Sequence, residues 1–443
     1  MARRVVVVGA GLAGLTAADR LVAAGVEVTV LEASSRIGGR TFTRRAEFID
    51  GRAAEAGAEW IDTVHRRVHE LVDRFGLRVD PATTTWTAVR RWLHRDGVLL
   101  GPPQLAESDP GFMDELDRFD AFIAAVAEGI TDPGRPDLHP EAARFDAMSV
   151  ADVMVELGLG ALAALFARRN MQGEFAAEPA EVSVLFIAQQ RAVYAATQSS
   201  HGAVEAQRLL GGVGQLSDAL AGALPEGTIR RGHPVHRVDT EDNGVRVQTE
   251  ADVHEADAVV IACSLPAMRR IVFEPSLPDD LAAAVRGLGY GTVTKTALQY
   301  PQRTWPPGYA TTSGAVQRVY EPTAGMAGDT GILMAYTGGD GGRELSQLTE
   351  HERMAVVEHA QREMYPDLAS RVGGFSQSWS AEPLFGGSYA VYRPGEIARF
   401  WNVLRRPWGR IHLAGEHTAT WTGYLEGAIE SGEAVAAALL RAG

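Results

Sequence analysis

One lysine stands among the 42 basic side chains of this 443-residue chain, because 41 are arginine and only Lys295 is lysine. A lysine ammonium is compact and changes its protonation state readily when buried, which the larger guanidinium does not. Lys295 lies in a β-rich stretch, residues 291–298, whose alternation places it on the face of Val293 and Ala297. We therefore interpret Lys295 as an inward-pointing residue with a chemical role; chance retention is the alternative.

Three glycines, Gly9, Gly11 and Gly14, have the spacing of a dinucleotide-binding loop. The first allows a tight turn, the second lets the backbone approach a pyrophosphate, and the third packs helix on strand. The amides and positive dipole of the following helix attract the same anion. Glu32 closes the next predicted strand, where a carboxylate binds ribose hydroxyls and disfavours the 2′-phosphate of NADP.

A second glycine pair, Gly38 and Gly39, lies between Arg36 and Arg40, a few residues beyond Glu32. Guanidinium groups pair bidentately with phosphate, and adjacent glycines permit close approach. This loop is interpreted as a second anion contact, with a solvated charged loop as the alternative.

A β-α-β unit must position these glycines, and the sequence supplies one. Residues 3–8 are rich in valine and predict a strand buried on both faces; a helix follows that stops at Gly25, and residues 26–31 form a second strand. Near the other end, residues 410–414 predict a strand and 423–440 a helix. The positive end of that helix dipole either points at a cofactor, or the helix is an ordinary terminal helix with no such role. The fold class expected is α/β.

Composition and charge exclude several classes. The formal charge of −14 disfavours nucleic acid as a partner and gives a weak bias towards cationic ligands. Cys263 is the only cysteine, so neither an intramolecular disulfide nor a multi-cysteine zinc site is possible. With no signal-peptide pattern and no apolar run of about 18 residues, we expect a cytoplasmic protein without a membrane partner.

His65 and His69 have the i, i+4 spacing of two metal ligands on one helix face. No third ligand is evident, and Arg66 and Arg67 between them indicate a solvated helix face instead. No metal is therefore expected.

Eight short motifs along the chain resemble those of the flavin-containing amine oxidases, the family of monoamine oxidases, polyamine oxidases and L-amino-acid oxidases. The resemblance covers nearly the whole chain, and it is most specific in its C-terminal motifs. The matching stretches are residues 57–61, 177–183, 211–212, 234–235, 378–379, 385–389, 411–416 and 422–429.

The resemblance implies a fold of two domains. A Rossmann-like FAD-binding domain would be assembled from three discontinuous segments, and an α+β substrate-binding domain from the two segments between them. The FAD-binding domain is expected at residues 1–82, 201–281 and 384–443, and the substrate-binding domain at 83–200 and 282–383. The resemblance also implies a homodimer.

FAD is the cofactor that the resemblance implies. Its expected contacts come from the glycine loop, the arginine loop, the stretch after residue 56 and the C-terminal motifs. They are Gly9, Gly11, Ala13, Gly14, Glu32, Ala33, Arg36, Gly39, Arg40, Gly57, Ala58, Glu59, Trp60, Val235, Gly415, Glu416, Gly423, Tyr424 and Leu425.

Catalytic roles also follow from the resemblance. Lys295 matches the lysine that holds a water beside the reactive ring nitrogen of the flavin and assists reoxidation by dioxygen or proton movement. Tyr389 and Tyr424 match two aromatic residues that face each other on the substrate side, where their rings orient the amine without a carboxylate that would keep it charged. Trp379 belongs to the same expected site. The implied reaction is hydride transfer from an amine to flavin, then imine hydrolysis and formation of hydrogen peroxide.

Two departures from the family pattern affect these expectations. Ser388 occupies the position where some relatives attach the flavin through a cysteine thioether, and Cys263 lies in an apolar run, residues 258–263, that predicts a buried strand. We therefore expect noncovalent FAD. The loop from Gly415 to Gly423 is one residue shorter than in typical monoamine oxidases, which leaves the position of Trp421 open.

The substrate remains a choice between an amine and an amino acid. Four residues cluster where the substrate-binding domain is expected to begin: Trp86, Arg90, Arg91 and Trp92. They either shape the substrate pocket, bind a substrate carboxylate, or lie on the surface. A correctly placed arginine would make an L-amino-acid oxidase, and an apolar tunnel a monoamine or polyamine oxidase. A desaturase-type flavoprotein of the same fold and a flavoprotein scaffold without turnover are the less favoured alternatives.

Overall fold

The structure is a computed structural model that describes residues 4–80, 84–85, 91–197 and 205–441. Its strands, numbered in chain order, are β1 (Arg4–Val8), β2 (Glu27–Glu32), β3 (Thr43–Arg44), β4 (Ala54–Glu55), β5 (Ile61–Asp62), β6 (Thr84–Thr85), β7 (Arg91–Arg95), β8 (Val98–Leu100), β9 (Glu205–Gln207), β10 (Ile229–Arg231), β11 (Val235–Glu241), β12 (Gly244–Thr249), β13 (Val253–Ala256), β14 (Ala258–Ile261), β15 (Val272–Glu274), β16 (Gly289–Tyr290), β17 (Val293–Tyr300), β18 (Tyr309–Thr312), β19 (Arg318–Tyr320), β20 (Gly331–Gly338), β21 (Gly373–Ser378), β22 (Ala390–Val391) and β23 (Ile411–Leu413).

The α-helices are α1 (Leu12–Ala23), α2 (Arg66–Arg74), α3 (Pro102–Ser108), α4 (Phe112–Glu128), α5 (Ala142–Ala147), α6 (Val150–Glu156), α7 (Ala161–Glu174), α8 (Val184–Thr197), α9 (Gly214–Ala223), α10 (Leu265–Met268), α11 (Asp279–Gly287), α12 (Gly339–Ser346), α13 (Glu350–Met364), α14 (Glu396–Phe400) and α15 (Leu425–Arg441). Short 3₁₀ turns lie at Pro136–Leu138, Pro179–Glu181, Val403–Arg405 and Glu416–Thr418.

A five-stranded parallel sheet in the order β10-β2-β1-β14-β23 brings together three distant parts of the chain. Successive residues of β1 point to opposite faces of this sheet. Val5 and Val7 pack with Leu15 of α1 and Ile429 of α15, whereas Val8 belongs to the core on the other face. The valine run thus forms the doubly buried central strand that the sequence predicts, and the α/β fold class is confirmed.

Helices α1 and α15 pack closely over this sheet. A Cβ atom at Gly432 would lie 2.4 Å from the carbonyl oxygen of Ala13, so only glycine permits this contact. The terminal helix begins at Leu425 rather than at residue 423, because Gly423 has a φ of +91° and still belongs to the preceding turn. The strand predicted over 258–263 ends earlier, at Ile261.

A second large sheet has seven strands in the order β21-β17-β20-β19-β18-β7-β8, and we call it the second sheet. Among its described strands, β18 and β7 are parallel and the other neighbours are antiparallel. β17, which carries Lys295, lies between β20 and β21 and is buried along all of its length. Lys295 is opposite Tyr336 of β20, so both side chains lie on one face. The sequence prediction that Lys295 points inward is confirmed, since the residue is 3% exposed.

The domain boundaries stay a prediction. Helix α11 runs across the predicted boundary between residues 281 and 282.

A four-stranded sheet, β13-β12-β11-β15, adjoins the parallel sheet, and smaller sheets pair β16 with β22, β3 with β4, and β5 and β6 with β9. Among the described residues, no helix is both long and apolar enough to cross a membrane.

Candidate active site

The N-terminus of α1 forms the floor of the candidate dinucleotide site. Gly9 has a φ of +107°, and a Cβ atom at Gly14 would lie 2.1 Å from the Gly9 carbonyl oxygen, so both positions require glycine. A Cβ atom at Gly11, by contrast, would meet no protein atom within 4 Å. The first turn of α1, which includes Ala13, carries no acidic residue. Its free amides and helix dipole therefore face open space that suits an anion.

Glu32 ends β2 beside this loop. Its carboxylate accepts hydrogen bonds from the backbone N–H of Ala10 at 2.7 Å and of Ser34 at 2.8 Å. These contacts fix the carboxylate at the edge of the glycine loop, next to Ala33, as the ribose-binding interpretation requires. Val235 begins β11, two residues after His233, whose N–H donates to the Glu32 carbonyl.

The two loop arginines have different surroundings. The guanidinium of Arg36 lies 4.1 Å from the centre of the Phe42 ring, and burial lowers its pKa although the charge of Glu32 opposes this. Arg40 donates to the carbonyl of Ser388 and, at 3.1 Å, to the Glu416 carboxylate. Both arginine side chains therefore have protein partners. Gly39, between them, lies close to the glycine loop: a Cβ atom added at Gly39 would be 3.4 Å from the Gly11 Cα.

Glu416 joins the C-terminal segment to this loop. Besides Arg40, its carboxylate accepts the backbone N–H of Gly423 at 2.9 Å and of Ala390 at 3.2 Å. The N–H of Gly415 donates to Ser431 of α15 at 2.9 Å. These contacts bring the start of α15 at Leu425 beside the arginine loop.

The stretch after Ala56 connects the loop to the second sheet. The N–H of Ala58 donates to the Arg40 carbonyl at 3.0 Å, and a Cβ at Gly57 would lie 1.8 Å from the same oxygen. The indole of Trp379 donates to the Ala56 carbonyl at 2.8 Å. Trp379 is thus buried at the junction of the two sheets and packs with its ring edge towards Phe385.

Lys295 lies at this junction with two partners. Its ammonium donates to the Glu59 carboxylate at 2.8 Å and to the Gly57 carbonyl at 3.1 Å. Glu59 also accepts from the hydroxyl of Tyr320 at 2.5 Å, and Arg208 lies 3.4 Å away. Burial alone would raise the pKa of Glu59, but the charges of Lys295 and Arg208 hold it below its ordinary value.

Tyr389 and Tyr424 are the two aromatic residues expected at the substrate side, and Tyr389 packs against Gly423, which precedes Tyr424 in the chain. A Cβ at Gly423 would lie 3.6 Å from the Tyr389 ring. The Tyr389 hydroxyl is hydrogen-bonded to that of Tyr336 at 2.7 Å. Because Tyr336 is opposite Lys295 on β20, its hydrogen bond connects Tyr389 to the strand pair that carries the lysine.

Two carboxylates lie beside tyrosine hydroxyls in this region. Tyr424 donates its hydroxyl to Glu174 at 2.6 Å, and Tyr194, whose ring is 6.0 Å from that of Tyr424, donates to Asp62 at 2.6 Å. Both acids lie far in sequence from the tyrosines, so no local spacing indicates these two contacts. They meet the hydroxyl ends of the rings, which leaves the ring faces apolar.

His65 is also placed differently from the sequence prediction. It precedes α2, is 1% exposed, and packs against Trp421 at 4.9 Å and Tyr424 at 5.5 Å between ring centres. The solvated face inferred from its arginine neighbours is therefore wrong for His65. Burial lowers its pKa to about 3, and Nδ1 accepts the Asp62 N–H, so the ring is neutral. The described residues contain no group of three or more possible metal ligands.

We predict that Asp62→Asn stabilises the protein at neutral pH. Burial, with a small contribution from Glu174, raises the pKa of Asp62 from 3.8 to about 6. A carboxyl with a raised folded-state pKa opposes folding increasingly between these two pH values, and fully above the higher one. The free energy of unfolding should rise by about 1–3 kcal/mol at pH 7, and the gain should vanish towards about pH 4. Urea unfolding at several pH values measures it.

Asp137→Asn is the matched control, because a hydrogen bond from Arg135 lowers the pKa of that carboxyl. Its substitution should leave stability unchanged or reduce it slightly at pH 7. Equal or lower stability of the Asp62 variant at pH 7 would contradict the prediction.

Several residues named in the sequence analysis lie apart from this pocket or outside the described residues. Trp86 and Arg90 fall outside them, and Arg91 is described only as the start of β7. Trp92 donates to the Pro307 carbonyl at 3.3 Å. Burial raises the pKa of the Cys263 thiol to about 12, which keeps the sulfur protonated and unreactive.

Sequence reasoning missed Asp62, Glu174, Tyr194, Tyr320 and Tyr336. Asp62 follows the motif at 57–61 directly and could have been found from it. The others have no sequence signal, because they reach the pocket from separate helices and strands.

The described residues fit a bound dinucleotide. The space at Gly11 is free for a pyrophosphate, and the buried hydroxyl of Ser388 has no hydrogen-bond partner in the described part of the chain. The glycine loop, Glu32 and Arg36 would hold the nucleotide end. Lys295, Tyr389 and Tyr424 would border the reactive end.

Comparison with known proteins identifies the group. Residues 12–440 match the family model described as flavin containing amine oxidoreductase. A probable flavin-containing monoamine oxidase A of Dictyostelium discoideum is 27% identical, with 97% of this chain and 95% of that protein covered. An L-amino-acid oxidase of Mus musculus is 28% identical over 97% of this chain and 69% of its own length.

Among solved structures, the cyclohexylamine oxidase from Brevibacterium oxydans IH-35A superposes with a TM-score of 0.87 at 26% identity, covering 100% of this chain and 99% of that one. Wild-type putrescine oxidase bound to putrescine gives a TM-score of 0.86 at 25% identity, with 99% of both chains covered. The cofactor of the dinucleotide site is FAD. The chain therefore belongs to the flavin-containing amine oxidoreductase family, as an FAD-dependent amine oxidase.

Proposed function

We propose that the protein oxidises a small amine that carries a second cationic group. The chemistry that FAD supplies when bound is acceptance of a hydride from the amine α-carbon and delivery of two electrons and two protons to dioxygen, giving an imine and hydrogen peroxide. The observation that carries the proposal is the series of contacts that joins Lys295 to Tyr389 through Tyr336, and Tyr389 to Gly423, which precedes Tyr424.

The residues of the pocket orient and desolvate the substrate. The faces of the Tyr389 and Tyr424 rings direct the amine nitrogen and exclude water, while the hydroxyls are held by Tyr336 and Glu174. Lys295 has three N–H groups, of which two donate to Glu59 and Gly57. The third is available to a water beside the cofactor.

Two carboxylates support a cationic substrate. Glu174 has an exposed side chain at the Tyr424 hydroxyl, and Asp62 lies behind it at Tyr194. A pocket with this charge attracts a distal ammonium and repels an α-carboxylate. The net charge of −14 acts in the same direction.

An L-amino-acid oxidase is the second candidate, favoured by Arg318 on β19. The charge of Arg318 acts on Tyr389 and Tyr336, and its Nη2 donates to the Arg169 carbonyl at 3.1 Å. A guanidinium so near the tyrosines would be able to bind a substrate carboxylate.

The test is flavin bleaching under nitrogen with diamines, monoamines and L-amino acids of matched length. Bleaching by diamines first would support the proposal, and bleaching by amino acids alone would favour the second candidate. A yellow protein that no compound bleaches would overturn both. We propose noncovalent FAD, because Ser388 offers no thiol; acid precipitation should leave the yellow colour in the supernatant.

We predict that Glu174→Gln weakens the use of diamines selectively. Because the Glu174 side chain is exposed, loss of its charge should raise KM for a diamine about fivefold, while KM for a monoamine of equal length changes less than about twofold. Steady-state peroxide assays measure both. Glu156→Gln, an exposed carboxylate at the end of α6, is the control. Equal changes for both substrates would contradict a role for Glu174 in charge recognition.

A further inference from the structure

Glu59 is a buried carboxylate with no place in the reaction described so far. It is 5% exposed and lies within a motif that the sequence assigns to cofactor binding. The structure instead turns its side chain towards the second sheet, where Oε2 accepts from Lys295 and Tyr320. A carboxylate is costly to bury, so its presence here requires partners that offset desolvation.

We infer that Glu59 is a positioning residue that keeps Lys295 a fixed cation, so that Lys295 does not act as a base towards the substrate. The inference rests on the proposed function for its catalytic consequence. The ammonium has the Glu59 carboxylate 2.8 Å away on one side and the Gly57 carbonyl 3.1 Å away on another. Two acceptors at these distances stabilise the protonated form and fix the direction of the remaining N–H group.

The other charged groups around the pair support this charge state. Arg208 faces Glu59 at 3.4 Å and stacks over Trp60 at 4.3 Å, so the carboxylate has a second cationic neighbour that keeps it ionised. Tyr320 donates to the same carboxylate, and Tyr309 stacks on Tyr320 with ring centres 4.8 Å apart. Both phenols are buried, which raises each pKa and keeps both rings neutral.

Two further titratable groups face the pair. Tyr336, opposite Lys295, is hydrogen-bonded to Tyr389 and keeps its proton, since burial raises its pKa to about 12. Burial likewise raises the pKa of Glu55 to about 7; its carboxyl accepts from Val213 and Thr43 rather than from Lys295. Glu59 is therefore the ionised carboxylate in direct contact with the lysine.

The catalytic consequence is that Lys295 supplies a charge and a hydrogen-bond donor but does not act as a base. A lysine that is already protonated and paired has no lone pair with which to take a proton from the amine. It offers a positive charge and one directed N–H beside the cofactor. The amine must then lose its proton to an acceptor other than Lys295.

Because the chain has one lysine, its charge can be observed directly. Protein grown with lysine labelled with ¹³C at the ε-carbon gives one side-chain resonance, whose chemical shift reports whether the ammonium is protonated. In the FAD-loaded wild type at about pH 7.5 we expect the chemical shift of a charged ammonium. Glu59→Gln should move the change to the neutral position at least about one pH unit lower, because a buried ammonium without its counter-ion is destabilised.

Glu55→Gln is the matched control, since it removes a nearby buried carboxyl that does not contact Lys295. We expect it to shift the lysine titration by less than about half a pH unit. Glu59→Asp keeps the charge and should restore the wild-type behaviour at least in part. If Glu59→Gln does not fold, the wild-type titration and the aspartate variant still decide the question.

Two results would overturn the inference: a neutral lysine in the wild type at about pH 7.5, or equal shifts in the Glu59 and Glu55 variants. The resonance does not depend on turnover. A protein that oxidises no amine but keeps a charged, Glu59-dependent lysine would therefore refute the proposed function and leave the ion pair established.

Discussion

Gly11→Val should give a folded protein that has lost its yellow colour. The Gly11 backbone has a φ of −75° and a ψ of 173°, which any residue adopts, and an added Cβ meets no protein atom within 4 Å. The side chain would instead fill the space in front of α1, where we propose that the FAD pyrophosphate binds. Loss of two hydrogen bonds to a charged group, about 1.5–3 kcal/mol each, should weaken FAD binding at least roughly 100-fold.

Titration of the apoprotein with FAD, followed by flavin fluorescence, measures this affinity, and circular dichroism checks the fold. Gly222→Ala serves as the control, because Gly222 lies in helix α9 with open space around it. That variant should bind FAD normally. A valine variant with wild-type affinity would show that the pyrophosphate does not lie at Gly11.

Lys295→Met should slow reoxidation of the flavin by dioxygen roughly 100-fold, the size of effect that a positioned proton or charge donor supplies. Reduction by the amine under nitrogen should change much less, because the tyrosines that orient the substrate are intact. Stopped-flow absorbance measures the two half-reactions separately. Equal losses in both would contradict a role for Lys295 that is confined to the oxygen side.

The methionine variant also leaves Glu59 buried without its main partner, which should cost about 3 kcal/mol of stability. A double variant, Lys295→Met with Glu59→Gln, removes both charges and is the control. It should recover most of the stability but none of the reoxidation rate. Recovery of the rate would show that the single variant is slow because its structure is disturbed.

The two carboxylates at the tyrosines illustrate a conflict between stability and binding. Asp62 opposes folding at neutral pH, since burial raises its pKa to about 6. A protein selected for stability alone would carry asparagine at this position. Retention of the acid beside Tyr194 agrees with the proposed binding of a cationic amine.

The sequence by itself determined the parts of this protein whose contacts are local. Gly9, Gly11 and Gly14 indicate a dinucleotide loop because turn geometry and helix packing are set within a few residues. Alternation within one strand predicts which neighbours share the face of Lys295, although both faces of that strand are buried. Element boundaries were less well determined: a left-handed glycine, Gly423, delays the start of the terminal helix, and the strand predicted over 258–263 ends at Ile261.

Only the tertiary structure decided which charges meet in the pocket. Lys295 and Glu59 are 236 residues apart in the chain, Tyr194 and Asp62 are 132 apart, and Tyr424 and Glu174 are 250 apart. Such pairs depend on how separate sheets and helices pack, and no periodicity within one element records that packing. The family and the cofactor could thus be inferred from local patterns, whereas the charge of the substrate pocket could be inferred only from the fold.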